Sequence, residues 1–197
     1  MKAEDLRNHL LGGLVQGLSN SDPDLALDYV KEVIDSGNRA GYGLMNAPIS
    51  AMIQTNSPLE AAQWAAQLDE GVIRNQAMSR TADNYAKKDF EAAKEWAESF
   101  GSDAGVERVV DPVTRNWASR DPQAALEWVS TLAEGDARHS GTSAALHQWA
   151  GKDPTAASNY LAEMPDSQMR NAAIAGFSNR LVWENPQAAM TWASSIS

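Results

Sequence analysis

Three observations predict an all-α protein, and within that class a right-handed α-solenoid of antiparallel helix-turn-helix repeats. First, a 32-residue unit recurs: "DPQAALEWVSTL" begins at Asp121, "DPTAASNYLAEM" at Asp153 and "NPQAAMTWASSI" at Asn185. Second, the apolar residues inside each copy follow helical spacing. Third, Ala, Leu, Glu, Gln and Trp are frequent while runs of Val, Ile and Thr are rare, a bias toward helix over strand. A unit this short cannot bury its apolar faces alone, so neighbouring copies must stack.

Each copy opens with a helix, called helix A. Its position 1 is Asp22, Ser57, Asp89, Asp121, Asp153 or Asn185. All six side chains carry an oxygen that accepts a free amide of the first helical turn. Position 2 is Pro in five copies and Phe90 in the third, and Pro is tolerated where the helix has no amide to satisfy. Position 5 is always Ala (Ala26, Ala61, Ala93, Ala125, Ala157, Ala189). Position 8 is always aromatic (Tyr29, Trp64, Trp96, Trp128, Tyr160, Trp192). Position 12 is Val33, Leu68, Phe100, Leu132, Met164 or Ile196. Positions 5, 8 and 12 form one apolar stripe. The small residue one turn before the ring predicts close packing with the ring laid over a neighbour.

Turn residues follow ("DEG", "GSD", "EGD", "PDS"), and then a second helix, helix B. It carries an aromatic at position 29 in Tyr85, Trp117 and Trp149. Short connections make neighbouring helices antiparallel. An acid at position 14 precedes an Arg at position 18 by four residues in Asp35/Arg39, Glu70/Arg74, Glu134/Arg138 and Asp166/Arg170. These are predicted to be structural ion pairs bracing the turn, and the rival reading is an Arg ladder for an acidic ligand. The third copy has Ser102 and Val106 instead, losing both partners together.

The array comprises a helix B half-unit at 1–21, repeats at 22–56, 57–88, 89–120, 121–152 and 153–184, and a helix A half-unit at 185–197. All of 1–197 reads as one repeat domain. In the opening half-unit Arg7 falls on position 18, and Leu11, Leu14 and Leu18 fall on helix B core positions. Trp192 and Ile196 are expected to be partly uncovered. Three explanations stay open: a fragment of a longer repeat protein, which is preferred, a closed ring, or ends that pair between molecules. Two units are irregular. The first spans 35 residues, with Gly41, Gly43 and Pro48 expected to break or delay helix B. The third carries Pro112, expected to kink that helix or restart it with Asp111 as a new N-cap.

The formal net charge is −10 and the pI about 4.7. An acidic chain with few Lys/Arg clusters makes a poor partner for nucleic acid or for an anionic membrane. There is no Cys, which excludes disulfides and thiolate metal sites. No run approaches the roughly 18 apolar residues of a membrane span. Glu4, Asp5 and Arg7 interrupt the order a signal peptide needs. The compartment stays open.

In repeat length and helix-turn-helix form the unit resembles the tetratricopeptide-like superfamily of α-solenoids, over nearly the whole chain. It departs from the tetratricopeptide motif itself: Pro122 and Pro154 open the first helix instead of closing the second, and the Leu-Gly pair is missing. The "DPxAAxxW" pattern looks more like repeats of large bacterial proteins. The resemblance implies a scaffold that binds proteins or peptides, usually in a groove lined by the first helices.

The chain has no Gly-rich phosphate loop, no "HExxH" and no "GxSxG". His139 and His147 are eight residues apart, too far to act as adjacent ligands on one helix. No cofactor and no metal are expected. The polar face of helix A offers Asp28, Gln63, Glu91, Glu95, Glu127 and Asn159 as a candidate partner-binding ladder, suited to a neutral or basic segment. The expected function is therefore a non-enzymatic protein- or peptide-binding scaffold. The first alternative is a structural or self-assembling module with end-to-end association. The second is a hydrolase-like enzyme in a closed helical toroid, with a carboxylate pair as acid and base.

Overall fold

A computed structural model describes residues 3–55, 58–68, 71–101 and 105–194. Among the described residues there are helices and turns and no strand. In order the helices are α1 (Ala3–Ser21), α2 (Pro23–Asp35), α3 (Ala40–Leu44), α4 (Asn46–Thr55), α5 (Pro58–Gln67) and α6 (Val72–Lys88). Then follow α7 (Phe90–Ser99), α8 (Glu107–Ala118), α9 (Pro122–Thr131), α10 (Asp136–Lys152), α11 (Pro154–Glu163), α12 (Gln168–Glu184) and α13 (Pro186–Ala193). The chain forms two compact units, Met1–Tyr85 and Ala86–Ser197. Their boundary falls inside α6, where the sequence reads as one unbroken array.

Helix A starts the same way wherever it is described. The Oδ1 of Asp22, Asp89, Asp121, Asp153 and Asn185 accepts the amide three residues on at 2.9–3.1 Å. Ser57, the sixth expected cap, lies outside the described residues. The position-5 alanines are buried in every copy, where helix A packs inward.

In the second unit the rings join one repeat to the next. Trp117 at position 29 lies 5.9 Å from Trp128 at position 8 of the following copy, and Trp149 lies 5.2 Å from Tyr160. The next pair, Phe177 with Trp192, has a centroid separation of 4.5 Å. Indole N–H groups complete the seam: Trp128 donates to Glu98 at 2.8 Å and Trp192 to Ser158 at 3.0 Å. The core between them collects Leu126, Leu146, Trp149, Leu161, Phe177 and Leu181.

The helix B members α8, α10 and α12 form a layer in which each touches the next. Two glycines permit the approach. A Cβ on Gly141 would meet Val110 and Val129 at 2.9 Å, and one on Gly176 would overlap the Ser143 carbonyl. The turn into α10 needs glycine for another reason: Gly135 has φ 150°, a conformation L-residues avoid.

The first unit packs α1 against α2 and α4 around Val15, Leu27, Val30, Met45 and Ile49. Its helix B is split at Met45 into α3 and α4, as Gly41, Gly43 and Pro48 predicted. Pro48 takes the third position of α4, where a missing amide costs little.

Two expectations are corrected. Helix α8 runs from Glu107 through Pro112 to Ala118 with Val106 as its N-cap residue, so Asp111 does not restart it. Pro112 is the sixth residue of α8, and its missing amide withdraws the i−4 partner from a single carbonyl, that of Arg108. Asp111 instead pairs with Arg115 at 2.8 Å. Leu14, expected on the core stripe of α1, is exposed, and Val15 takes the inward place. Phe177, the residue of α12 at the position of Leu14, is buried against Trp192.

Candidate functional site

A concavity of the first unit lies where helix B is broken. The α3–α4 junction turns Gly43, Leu44, Asn46 and Ala47 toward Gly12, Val15 and Gln16 of α1. The resulting cleft holds about 580 Å³ and is also lined by Asn20, Ser50, Ala51 and Gln54. Its polar lining among the described residues is uncharged: four carboxamides (Gln16, Asn20, Asn46, Gln54) and one hydroxyl (Ser50). Ser50 donates to the Asn84 Oδ1 at 3.2 Å, and the Asn84 amide donates to the Arg80 carbonyl at 2.9 Å. That chain fixes one wall of the cleft. Each carboxamide offers two donors and an acceptor, so the site matches groups that are both donor and acceptor, such as peptide units.

A smaller concavity of about 360 Å³ lies among the turns of the second unit, bounded by Gly101, Gly105, Glu107, Glu134, Gly135 and Asp136. Its three acids do not converge as metal ligands: no group of three His, Cys, Asp or Glu among the described residues is placed to hold an ion.

The six residues of the helix A ladder, Asp28, Gln63, Glu91, Glu95, Glu127 and Asn159, are all exposed. None lines either concavity. Glu127 acts at short range on the next copy: burial pushes the Tyr160 hydroxyl above its ordinary pKa, and the Glu127 charge adds to the shift.

The repeated acid–Arg pairs are formed unevenly. Asp166 and Arg170 meet at 3.0 Å. No ion pair joins Glu134 to Arg138 among the described residues. The Arg138 guanidinium turns to the Met169 sulfur of the next copy at 3.9 Å. Asp35 is the last residue of α2 and Arg39 the N-cap residue of α3, both exposed, so a helical i,i+4 geometry is absent there. Glu70 lies outside the described residues, as do Ser102 and Ile196, and Arg74 is half-buried. An unforeseen i,i+4 pair joins Arg180 to Glu184 in α12.

The cleft residues were missed because the sequence reading placed the ligand face on helix A. The available signal was the irregular length of the first unit together with the concentration of Asn and Gln around its break. No helix among the described residues is long and apolar enough to cross a membrane. Compared with known proteins, the chain matches no family model, no curated protein and no solved structure.

Proposed function

We propose that the chain is a non-enzymatic scaffold, a right-handed α-solenoid of the tetratricopeptide-like kind, that holds an extended, uncharged stretch of a protein or peptide. The observation that carries this reading is the neutral, carboxamide-lined cleft of the first unit. Its volume falls within the roughly 300–1,000 Å³ of ordinary ligand sites. An extended peptide exposes N–H and C=O groups along its length, and Gln16, Asn20, Asn46 and Gln54 can engage both kinds. The proposed site is this cleft beside α3 and α4, in place of the helix A groove that the family resemblance implies.

The test is binding to an array of short synthetic peptides, followed by two double variants. Gln16→Arg with Asn46→Arg should weaken the selected peptides about tenfold or more, since two lost hydrogen bonds at about 0.5–1.5 kcal/mol each reach that factor. Glu95→Lys with Glu127→Lys should leave them unchanged. If the second pair abolishes binding and the first does not, the acidic ladder is the site. If no peptide binds, the scaffold reading falls.

A further inference from the structure

We infer that the cleft of the first unit takes its occupant lengthwise, as a short extended segment lying along α1 and α4 with small apolar side chains at alternate positions. This assignment rests on the peptide-binding reading of the cleft, and it adds the class of segment that the cleft selects.

The lining forms rows. Gly12, Gln16 and Asn20 follow one another at four-residue intervals on α1, and so do Asn46, Ser50 and Gln54 on α4. Residues four apart on a helix share a face. Helix α1 packs against both α2 and α4, and short connections reverse the chain on either side of α2. Helices α1 and α4 therefore run side by side in the same direction. A Cβ on Gly12 would come to 3.8 Å from the Leu44 side chain, so the leading ends of the two rows lie together.

The same positions of helix B are closed elsewhere in the chain. Gly12, Gln16 and Asn20 stand at repeat positions 23, 27 and 31. In α10, positions 23 and 31 are Ser143 and Gly151, and there α12 moves in. A Cβ on Gly176 would overlap the Ser143 carbonyl, and one on Gly151 would stand 2.6–2.8 Å from the Arg180 guanidinium. The seam that is shut between α10 and α12 stands open between α1 and α4.

Depth sorts the lining by chemistry. Gln16, Asn20, Asn46 and Gln54 are exposed and form a rim. Val15 is buried, and Leu44, Ala47 and Ala51 are half-buried, so the base is apolar. An extended chain carries N–H and C=O groups along both edges and turns its side chains alternately to its two faces. Between two carboxamide rims both edges find partners. One face then rests on the base, where Ala47 and Ala51 leave room for small side chains, and the other faces water. No charged side chain lines the cleft among the described residues, so a charge on the base-facing positions would lose water without gaining a partner.

The spacings of rim and segment match. Four residues of helix rise about 6 Å, and two residues of extended chain span about 6.6 Å. Successive rim groups thus meet alternate residues of the segment. From Asn46 to Gln54 the row measures about 12 Å, the length of about four extended residues. Over a longer stretch the two spacings fall out of step.

The experiment is a nuclear magnetic resonance titration of the whole chain with capped, alternating Ala-Ser peptides of three, five, seven and nine residues, up to millimolar peptide. The side-chain amide signals of Gln16, Asn20, Asn46 and Gln54 should shift, while those of Gln63 and Asn159 on helix A stay in place. Affinity should rise about tenfold from three residues to five and then level off, as the rim groups are used up. N-methylation of the two central amides of the pentapeptide should weaken it about tenfold. Replacing its Ala residues by Trp should weaken it at least as much, whereas replacing its Ser residues by Gln should change it less than about threefold. All of these changes are made in the peptide, so the fold of the protein is not at stake. Affinity that keeps growing past five residues, or that ignores N-methylation, would overturn the lengthwise placement and leave the peptide-binding reading standing. Equal losses from the Trp and Gln peptides would overturn the alternation. If none of these peptides moves the rim signals, the whole inference falls, and the wider peptide array decides separately whether the scaffold reading falls with it.

Discussion

An oxygen-bearing side chain placed one residue ahead of helix A captures the same amide in the five copies whose cap is described, and it does so with either chemistry available. Asp121 and Asn185 hold that amide at the same 3.0 Å, so the oxygen matters more than the charge. Removing it strands a backbone donor at a helix start that nothing else covers. Asp121→Ala should therefore lower stability by about 1 kcal/mol, and Asp121→Asn by only a few tenths. Urea unfolding measures this, as a shift of midpoint at constant slope. Equal losses from the two substitutions would mean that charge, acting on the helix dipole, dominates the cap. This layer of the structure was legible from residue type alone, because a cap needs only its own neighbours in sequence. The Glu134/Arg138 pair was not. Whether an exposed acid and an Arg meet depends on what else the guanidinium can reach, and Arg138 had a sulfur in the next repeat.

Helices B approach one another as closely as their glycines allow. At Gly176 the opposing group is backbone, which cannot rotate away. Gly176→Ala gains about 1 kcal/mol of helix propensity, and the overlap with the Ser143 carbonyl costs about 1–3 kcal/mol or more. The overlap wins, so the variant should unfold at lower urea. Gly17→Ala in dilute solution should do the opposite, gaining up to about 1 kcal/mol, because its Cβ enters open space. Both shifts are read as denaturation midpoints, and a stabilised Gly176→Ala would show that α10 and α12 can slide apart without loss. At this scale the periodicity predicted the helices and their order, and it marked the break in the first unit through Gly41, Gly43 and Pro48. It left Pro112 open between a kink and a restart at Asp111, and α8 continues through Pro112 without a restart. Whether a proline restarts a helix or merely sits near its beginning depends on where the preceding turn ends. Helix α8 starts at position 19, whereas α6, α10 and α12 start at position 16.

At the scale of the molecule two surfaces compete for a partner, and charge separates them. The helix A ladder carries Asp28, Glu91, Glu95 and Glu127, on a protein of net charge −10. The cleft carries carboxamides and a hydroxyl. The ladder was legible because it repeats. The break beside the cleft was marked by Gly41, Gly43 and Pro48, but which side chains line the gap depends on how α1 packs against α3 and α4, and sequence spacing does not give that. The two surfaces respond to salt in opposite ways. A basic peptide on the ladder gains from long-range attraction that ions screen beyond about 8–10 Å at ordinary ionic strength, so its affinity should fall steeply as salt rises. An uncharged peptide in the cleft exchanges hydrogen bonds with water for hydrogen bonds with Gln16, Asn20, Asn46 and Gln54, a process in which ions take little part. For peptides selected by the parent protein, the affinity should change less than about threefold, or roughly 0.7 kcal/mol, between low and physiological salt. Titration calorimetry over that range decides the matter. A flat profile locates recognition in the cleft, and a steep one returns it to Glu95, Glu127 and their neighbours along helix A.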